Sequence, residues 1–108
     1  MIQLRISEAA ALSIVEQADY YEHASDVALA QRWEDAVDQT VHSLLKLPER
    51  GTVCRFRSPA LTDLRWILVP GFPKHMVFYR YLEHESAIRI VQVLHGSRDL
   101  ETLLSNDE

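Results

Sequence analysis

Three stretches near the C-terminus read as strands that are apolar on both faces, and this constrains the fold more than any other feature of the chain. They are Leu64–Val69, His75–Leu82 and Ala87–Leu94, separated by Pro70-Gly71-Phe72-Pro73 and by Glu83-His84-Glu85-Ser86. Links this short make them an antiparallel meander. A sheet wetted on one side alternates apolar with polar residues. Here Leu64, Trp66 and Leu68 share one face while Ile67 and Val69 share the other; in the last strand Ile88, Ile90 and Leu94 oppose Val91 and Val93. Each side of the sheet therefore needs a cover, supplied by the rest of the chain or by a partner.

The first half supplies one cover. Ile2, Leu4 and Ile6 alternate with Gln3 and Arg5, a short strand with one buried face. Ser7 reads as an N-cap, and Glu8 follows in the first turn, where the helix dipole favours a carboxylate. Ala10, Ala11, Ile14, Val15, Ala18 and Tyr21 recur at helical spacing to about His23. Ser25 or Asp26 caps a second helix whose stripe is Ala30, Trp33, Val37, Val41, Leu44 and Leu45, and Pro48 stops it. So short a link between two helices predicts an antiparallel hairpin, whose apolar stripes need a sheet to cover them. Residues 49–63 read as an irregular loop over the sheet, and Asp99 caps a short tail helix carrying Leu100, Leu103 and Leu104. Loop and tail helix are one candidate cover for the second face; a partner chain is the other. The expected fold is α+β, a single domain over 1–108. Its order is β-α-α-β-β-β, with the helical hairpin packed on a small, mainly antiparallel sheet and a short C-terminal helix.

Composition narrows the setting. A chain of 108 residues has room for one core. No apolar run approaches the ~18 residues of a membrane span. Met1–Ile6 lacks the apolar centre of a secretion leader, and Cys54 is the sole cysteine, so no internal disulfide can form. These features set an expectation of a reducing cytoplasm. Net charge is −5, distributed unevenly: −6 over residues 7–47, +5 over residues 50–80 and −4 over residues 81–108. A basic middle beside an acidic helical half suits an acidic protein partner or a phosphate contact, not a nucleic-acid surface over most of the molecule. Nine of the eleven bases are Arg, the residue suited to bidentate, partly dehydrated contacts, which favours an interface.

The order of elements and two sequence stretches resemble the RelE/ParE superfamily of bacterial toxins, in its ParE-like branch. The stretches are Val69-Pro70-Gly71-Phe72-Pro73-Lys74-His75-Met76-Val77-Phe78-Tyr79-Arg80-Tyr81 and Ile88-Arg89-Ile90-Val91-Gln92-Val93-Leu94-His95-Gly96-Ser97-Arg98-Asp99. The resemblance is specific from about residue 64 to 104 and architectural before that. It implies a compact toxin of a type II toxin–antitoxin pair. A ParE-like toxin is expected to inhibit DNA gyrase by binding it, and to be silenced by a cognate antitoxin, of the ribbon-helix-helix type. The implied partners are that antitoxin and gyrase; no membrane is involved, and DNA is reached only through the antitoxin. One runner-up is a ribosome-dependent mRNA endonuclease of the RelE kind; another is a non-toxic member that only binds its antitoxin. One fold hosts all three, so the site must decide.

RNA cleavage needs proton donors and acceptors and cations on the phosphate. Where RelE-like enzymes place basic residues on the first two meander strands, this chain has Asp63 and Met76; Arg98 matches the basic residue after the last strand, and no Tyr follows it. The expectation is thus binding without catalysis, with no catalytic residue, no cofactor and no metal. Target contact is assigned to Arg65, Arg80, His95 and Arg98, with Arg80 and Arg98 expected in one region. Antitoxin contact is assigned to the apolar residues Trp66, Ile67, Val69, Val91 and Val93. Other readings are structural. Glu34, Asp38 and His42 share a helix face as a solvated polar group, Trp33 is core, and Cys54 beside Arg55 and Arg57 lacks the neighbours of a catalytic thiol.

Overall fold

The computed structural model describes residues 1–107. The chain runs β1 (Gln3–Ile6), α1 (Glu8–Ala24), α2 (Val27–Ser43), β2 (Thr52–Val53), β3 (Arg65–Val69), β4 (Phe72–Leu82), β5 (Ala87–His95) and α3 (Leu100–Asp107), with short 3-10 turns at Pro59–Leu61 and Glu83–Glu85. The five strands form one sheet in the order β1-β5-β4-β3-β2. β1 pairs parallel with β5, and every other pairing is antiparallel. The fold is therefore the expected α+β arrangement, with β2 a small addition inside the stretch read as loop.

Local chemistry sets the boundaries. The Ser7 hydroxyl accepts from the Ala10 N–H at 3.0 Å and donates to the Val91 carbonyl at 2.7 Å, so one side chain starts α1 and pins that start to β5. Asp26 Oδ1 accepts from the Leu29 N–H at 2.8 Å and caps α2. α2 ends at Ser43, before the expected Leu44 and Leu45, because the chain tightens into turns there: Leu44 N–H bonds to Val41 and Leu45 N–H to His42. The β3–β4 link shortens to Pro70-Gly71, with Gly71 at φ +84°. Pro followed by a left-handed Gly suits a tight turn, and Phe72 and Pro73 enter β4.

The sheet carries a core on each face. On the hairpin side, Trp33, Val37, Val41 and Leu44 pack against Val69, Val77, Tyr79, Ile88, Ile90 and Val93. On the other side, Cys54, Leu61 and Leu104 pack against Leu64, Phe78, Val91 and Leu94, so the 54–64 segment and α3 form the second cover. The face assignment expected for β5 is corrected by a bulge. Tyr79 lies opposite Ile90 and Phe78 opposite Gln92, leaving Val91 as an extra residue. After it the side-chain parity changes: Val93 joins Ile88 and Ile90 on the hairpin side, and Leu94 joins Val91 on the other. The buried Gln92 carboxamide occupies this kink, accepting from Ser13 Oγ of α1 at 2.7 Å and from the Val93 N–H at 2.9 Å.

Candidate functional site: a histidine cleft near the turn of the helical hairpin

The four cations and histidines expected to meet a target separate into two groups. Arg65 and Arg80 are engaged in holding the fold. Arg65 Nη1 donates to the carbonyls of Glu49 at 3.0 Å and Gly51 at 2.9 Å. The same loop is held from beneath by Tyr79, whose buried hydroxyl donates to the Pro48 carbonyl at 2.9 Å and accepts from the Gly51 N–H at 2.8 Å. A side chain on residue 51 would meet that hydroxyl at 2.5 Å, so only glycine fits. Burial raises the Tyr79 phenol above its ordinary pKa, which keeps this double contact neutral. Arg80 forms an ion pair with Asp63, and its Nη2 donates to the Ala60 carbonyl at 2.6 Å, with the side chain only 12% exposed. It is a clamp on the 59–63 segment.

Arg98 and His95 lie elsewhere, which corrects the expectation that Arg80 and Arg98 share one region. Arg80 sits opposite Arg89, and His75 opposite His95, in the β4–β5 register. The five residues from His75 to Arg80 put roughly 17 Å of strand between the two places. His95 ends β5, and a turn closed by Arg98 N–H to the His95 carbonyl at 3.1 Å carries Arg98 back toward α1. The Arg98 side chain is exposed and in no ion pair among the described residues.

Around His95 and Arg98 the structure assembles His75, Tyr20, Tyr21, Phe72 and Lys74, none of which the sequence marks for a functional role. His75 and His95 face each other across the strands with ring centroids 5.2 Å apart. His75 is buried against Trp33 at 4.8 Å and Tyr21 at 6.4 Å, and Phe72 packs on Trp33 at 5.2 Å and on Tyr21 at 5.5 Å. Burial, and secondarily the neighbouring His95, hold His75 below the ordinary imidazole pKa. His95 Nδ1 accepts from the Ser97 N–H at 3.1 Å and lies 2.7 Å from Ser97 Oγ. That bond assigns the proton of the neutral ring to Nε2 and occupies the other lone pair, which disfavours metal ligation. Two adjoining cavities open on this pair. One of about 530 Å³ is lined by Tyr20, Tyr21, Phe72, Lys74 and both histidines, and the other, of about 280 Å³, includes Glu16, Tyr20, Arg98 and the same histidines. Tyr20 is 62% exposed at their shared wall.

The apolar residues expected to meet an antitoxin are redistributed by the two covers. Val69, Val91 and Val93 are at most 4% exposed within the chain itself, so a partner cannot reach them in this fold. Trp66 and Ile67 are half-buried, packing against the loop-side and hairpin-side cores respectively. The exposed apolar side chains include Leu68 on β3 and Leu12 and Val15 on α1. Cys54 is buried, and desolvation pushes its thiol up to about 11 despite Arg80, so it is protonated at neutral pH and poor as a nucleophile.

The family model for the ParE toxin of the type II toxin–antitoxin system, parDE, matches residues 4–100. The chain belongs to that ParE toxin family. No curated sequence matches it. Among solved structures, a chromosomal ParDE toxin–antitoxin system from P. aeruginosa superposes with a TM-score of 0.71 at 16% identity, covering 88% of this chain and 96% of that one. The likeness shows a shared ParE-like fold. No helix among the described residues of this ParE family member is long and apolar enough to cross a membrane.

Proposed function

We propose that this ParE family member is a toxin that inhibits DNA gyrase by direct binding and is neutralised by a cognate ribbon-helix-helix antitoxin. The observation that carries the reading is the family match across residues 4–100. It is supported at the positions where RNA chemistry would need cations: Asp63 is an acid paired with Arg80, and Met76 packs into the loop-side core. Target contact is assigned to His95 and Arg98, the two expected residues that stand at an open cleft. Antitoxin contact is assigned to the apolar surface left outside both covers, at Trp66, Ile67 and Leu68 on β3 and Leu12 and Val15 on α1.

The test pairs two assays on the purified chain. Gyrase supercoiling should be inhibited, and mRNA in a translating extract should stay intact. Site-specific mRNA cuts that disappear in Arg98→Ala, with supercoiling unaffected, would replace this reading with the endonuclease one.

A further inference from the structure

The histidine cleft brings aromatic, cationic and titratable side chains together at one opening. Its floor is aromatic, from Tyr21 and Phe72. Its rims carry Lys74 and Arg98, both exposed and in no ion pair among the described residues. The larger cavity, about 530 Å³, falls within the range of about 300–1,000 Å³ typical of ligand clefts. The walls do not close on each other: Tyr20 stands 62% exposed between the two cavities, an amphipathic ring of the kind enriched at interfaces.

We propose that this cleft docks an acidic segment with an aromatic anchor on the target protein, and that the cross-strand His75–His95 pair makes docking proton-linked. The inference rests on the gyrase reading and deepens it by naming the surface and the chemistry it recognises. The aromatic anchor enters beside Tyr20 and Phe72. Carboxylates flanking it meet Lys74 on one rim and Arg98 on the other.

Charge decides between a peptide and a nucleic acid here. The groups facing the histidines are Glu16 and Tyr20 from α1, Tyr21 beside them, Lys74 from β4 and Arg98 after β5. Glu16 is the single acid among the described residues lining these two cavities, and the outward side of α1 adds Glu8, Asp19 and Glu22, all exposed. A polyanionic strand extending along that acidic helix would be repelled along its length, whereas a peptide bringing one or two carboxylates to Lys74 and Arg98 is repelled far less. With rings 5.2 Å apart, protonating one histidine opposes protonating the other, and a bound carboxylate relieves that opposition. By linkage, docking then takes up a proton and strengthens as pH falls through the histidine range.

The experiment measures the dissociation constant of the chain for intact DNA gyrase at pH 8 and pH 6, with melting temperatures for every variant. Wild type should bind several-fold tighter at pH 6 than at pH 8. Tyr20→Ala and Lys74→Glu, both at exposed positions, should each weaken binding about tenfold with unchanged melting temperature. His95→Gln should erase the pH dependence. If wild type binds gyrase and these variants match it, the cleft assignment falls while the gyrase reading stands. If wild type does not bind gyrase, both fall. If the cleft instead holds a mixed-sequence single-stranded RNA, with affinity lost in Tyr20→Ala and gyrase binding unaffected, the peptide proposal is overturned in favour of a nucleic acid.

Discussion

The two faces of the sheet are closed by different physics. The hairpin side is covered by two capped helices of 17 residues each, and its largest contact is Trp33, fully buried with its Nε1 donating to the Ile14 carbonyl at 3.0 Å. Non-directional burial does most of the work there, at about 1.5–3 kcal/mol for each large side chain removed from water. The loop side is covered by an irregular segment and a helix of eight residues, too short to be stable alone. Its apolar contacts at Leu61, Leu64 and Leu104 are supplemented by point ties: Arg80 to Asp63 and Ala60, and Glu101 accepting from the Ser58 N–H at 2.8 Å. A regular element brings its own hydrogen bonds to the surface it covers. An irregular one must have its backbone satisfied from outside, and a half-buried Arg is well suited because its donors fan in several directions.

This contrast can be broken at several points. Trp33→Ala should be the most damaging, costing about 3–5 kcal/mol in urea unfolding, because it empties the centre of the hairpin core. A loss under about 1 kcal/mol would mean that the hairpin is not held by burial. Arg80→Ala should cost less, about 1.5–3 kcal/mol, and act locally. Hydrogen exchange should quicken in residues 56–64 and 100–104 while α1 and α2 keep their protection; uniform quickening would show that the two covers are not separable. Asp26→Ala removes the α2 cap alone and should cost about 1 kcal/mol, seen as a shift of the urea midpoint without a change of slope.

A pH series sharpens the comparison at the end of the hairpin core. The folded state holds His75 below its unfolded pKa of ~6.5, so the unfolded chain takes up a proton there first. Stability contributed by neutral His75 is therefore full above that value and declines as pH falls below it. Wild type should lose more stability between pH 7.5 and pH 5.5 than His75→Gln does; equal losses would remove His75 as the cause.

Much of this architecture is legible in the sequence because it rests on periodicity and caps. Ser7, the hairpin stripe and the two-faced strands carry their own signals. The candidate cleft is not legible in that way. Counting back from the turn, where Leu82 lies opposite Ala87, places His75 opposite Leu94 in an unbroken ladder. The Val91 bulge shifts the register by one and sets His95 there instead. Nothing local in Val91-Gln92-Val93 announces a bulge; it is fixed by Ser13 Oγ reaching Gln92 from α1, a contact across 79 residues of sequence. The engagement of Arg80 is hidden in the sequence for a related reason. An Arg on a strand reads as surface charge until its partners Asp63 and Ala60 are brought over it by a loop without periodicity.

The central claim is that Arg80 holds the loop-side cover while Arg98 serves the target. It is tested most directly by measuring melting temperature and gyrase supercoiling inhibition on Arg80→Ala and Arg98→Ala side by side. Arg98→Ala should keep the wild-type melting temperature and need about tenfold more protein for the same inhibition, a loss of about 1.4 kcal/mol, whereas Arg80→Ala should melt several degrees lower. An Arg98→Ala protein that melts lower yet inhibits gyrase as wild type does would contradict the account.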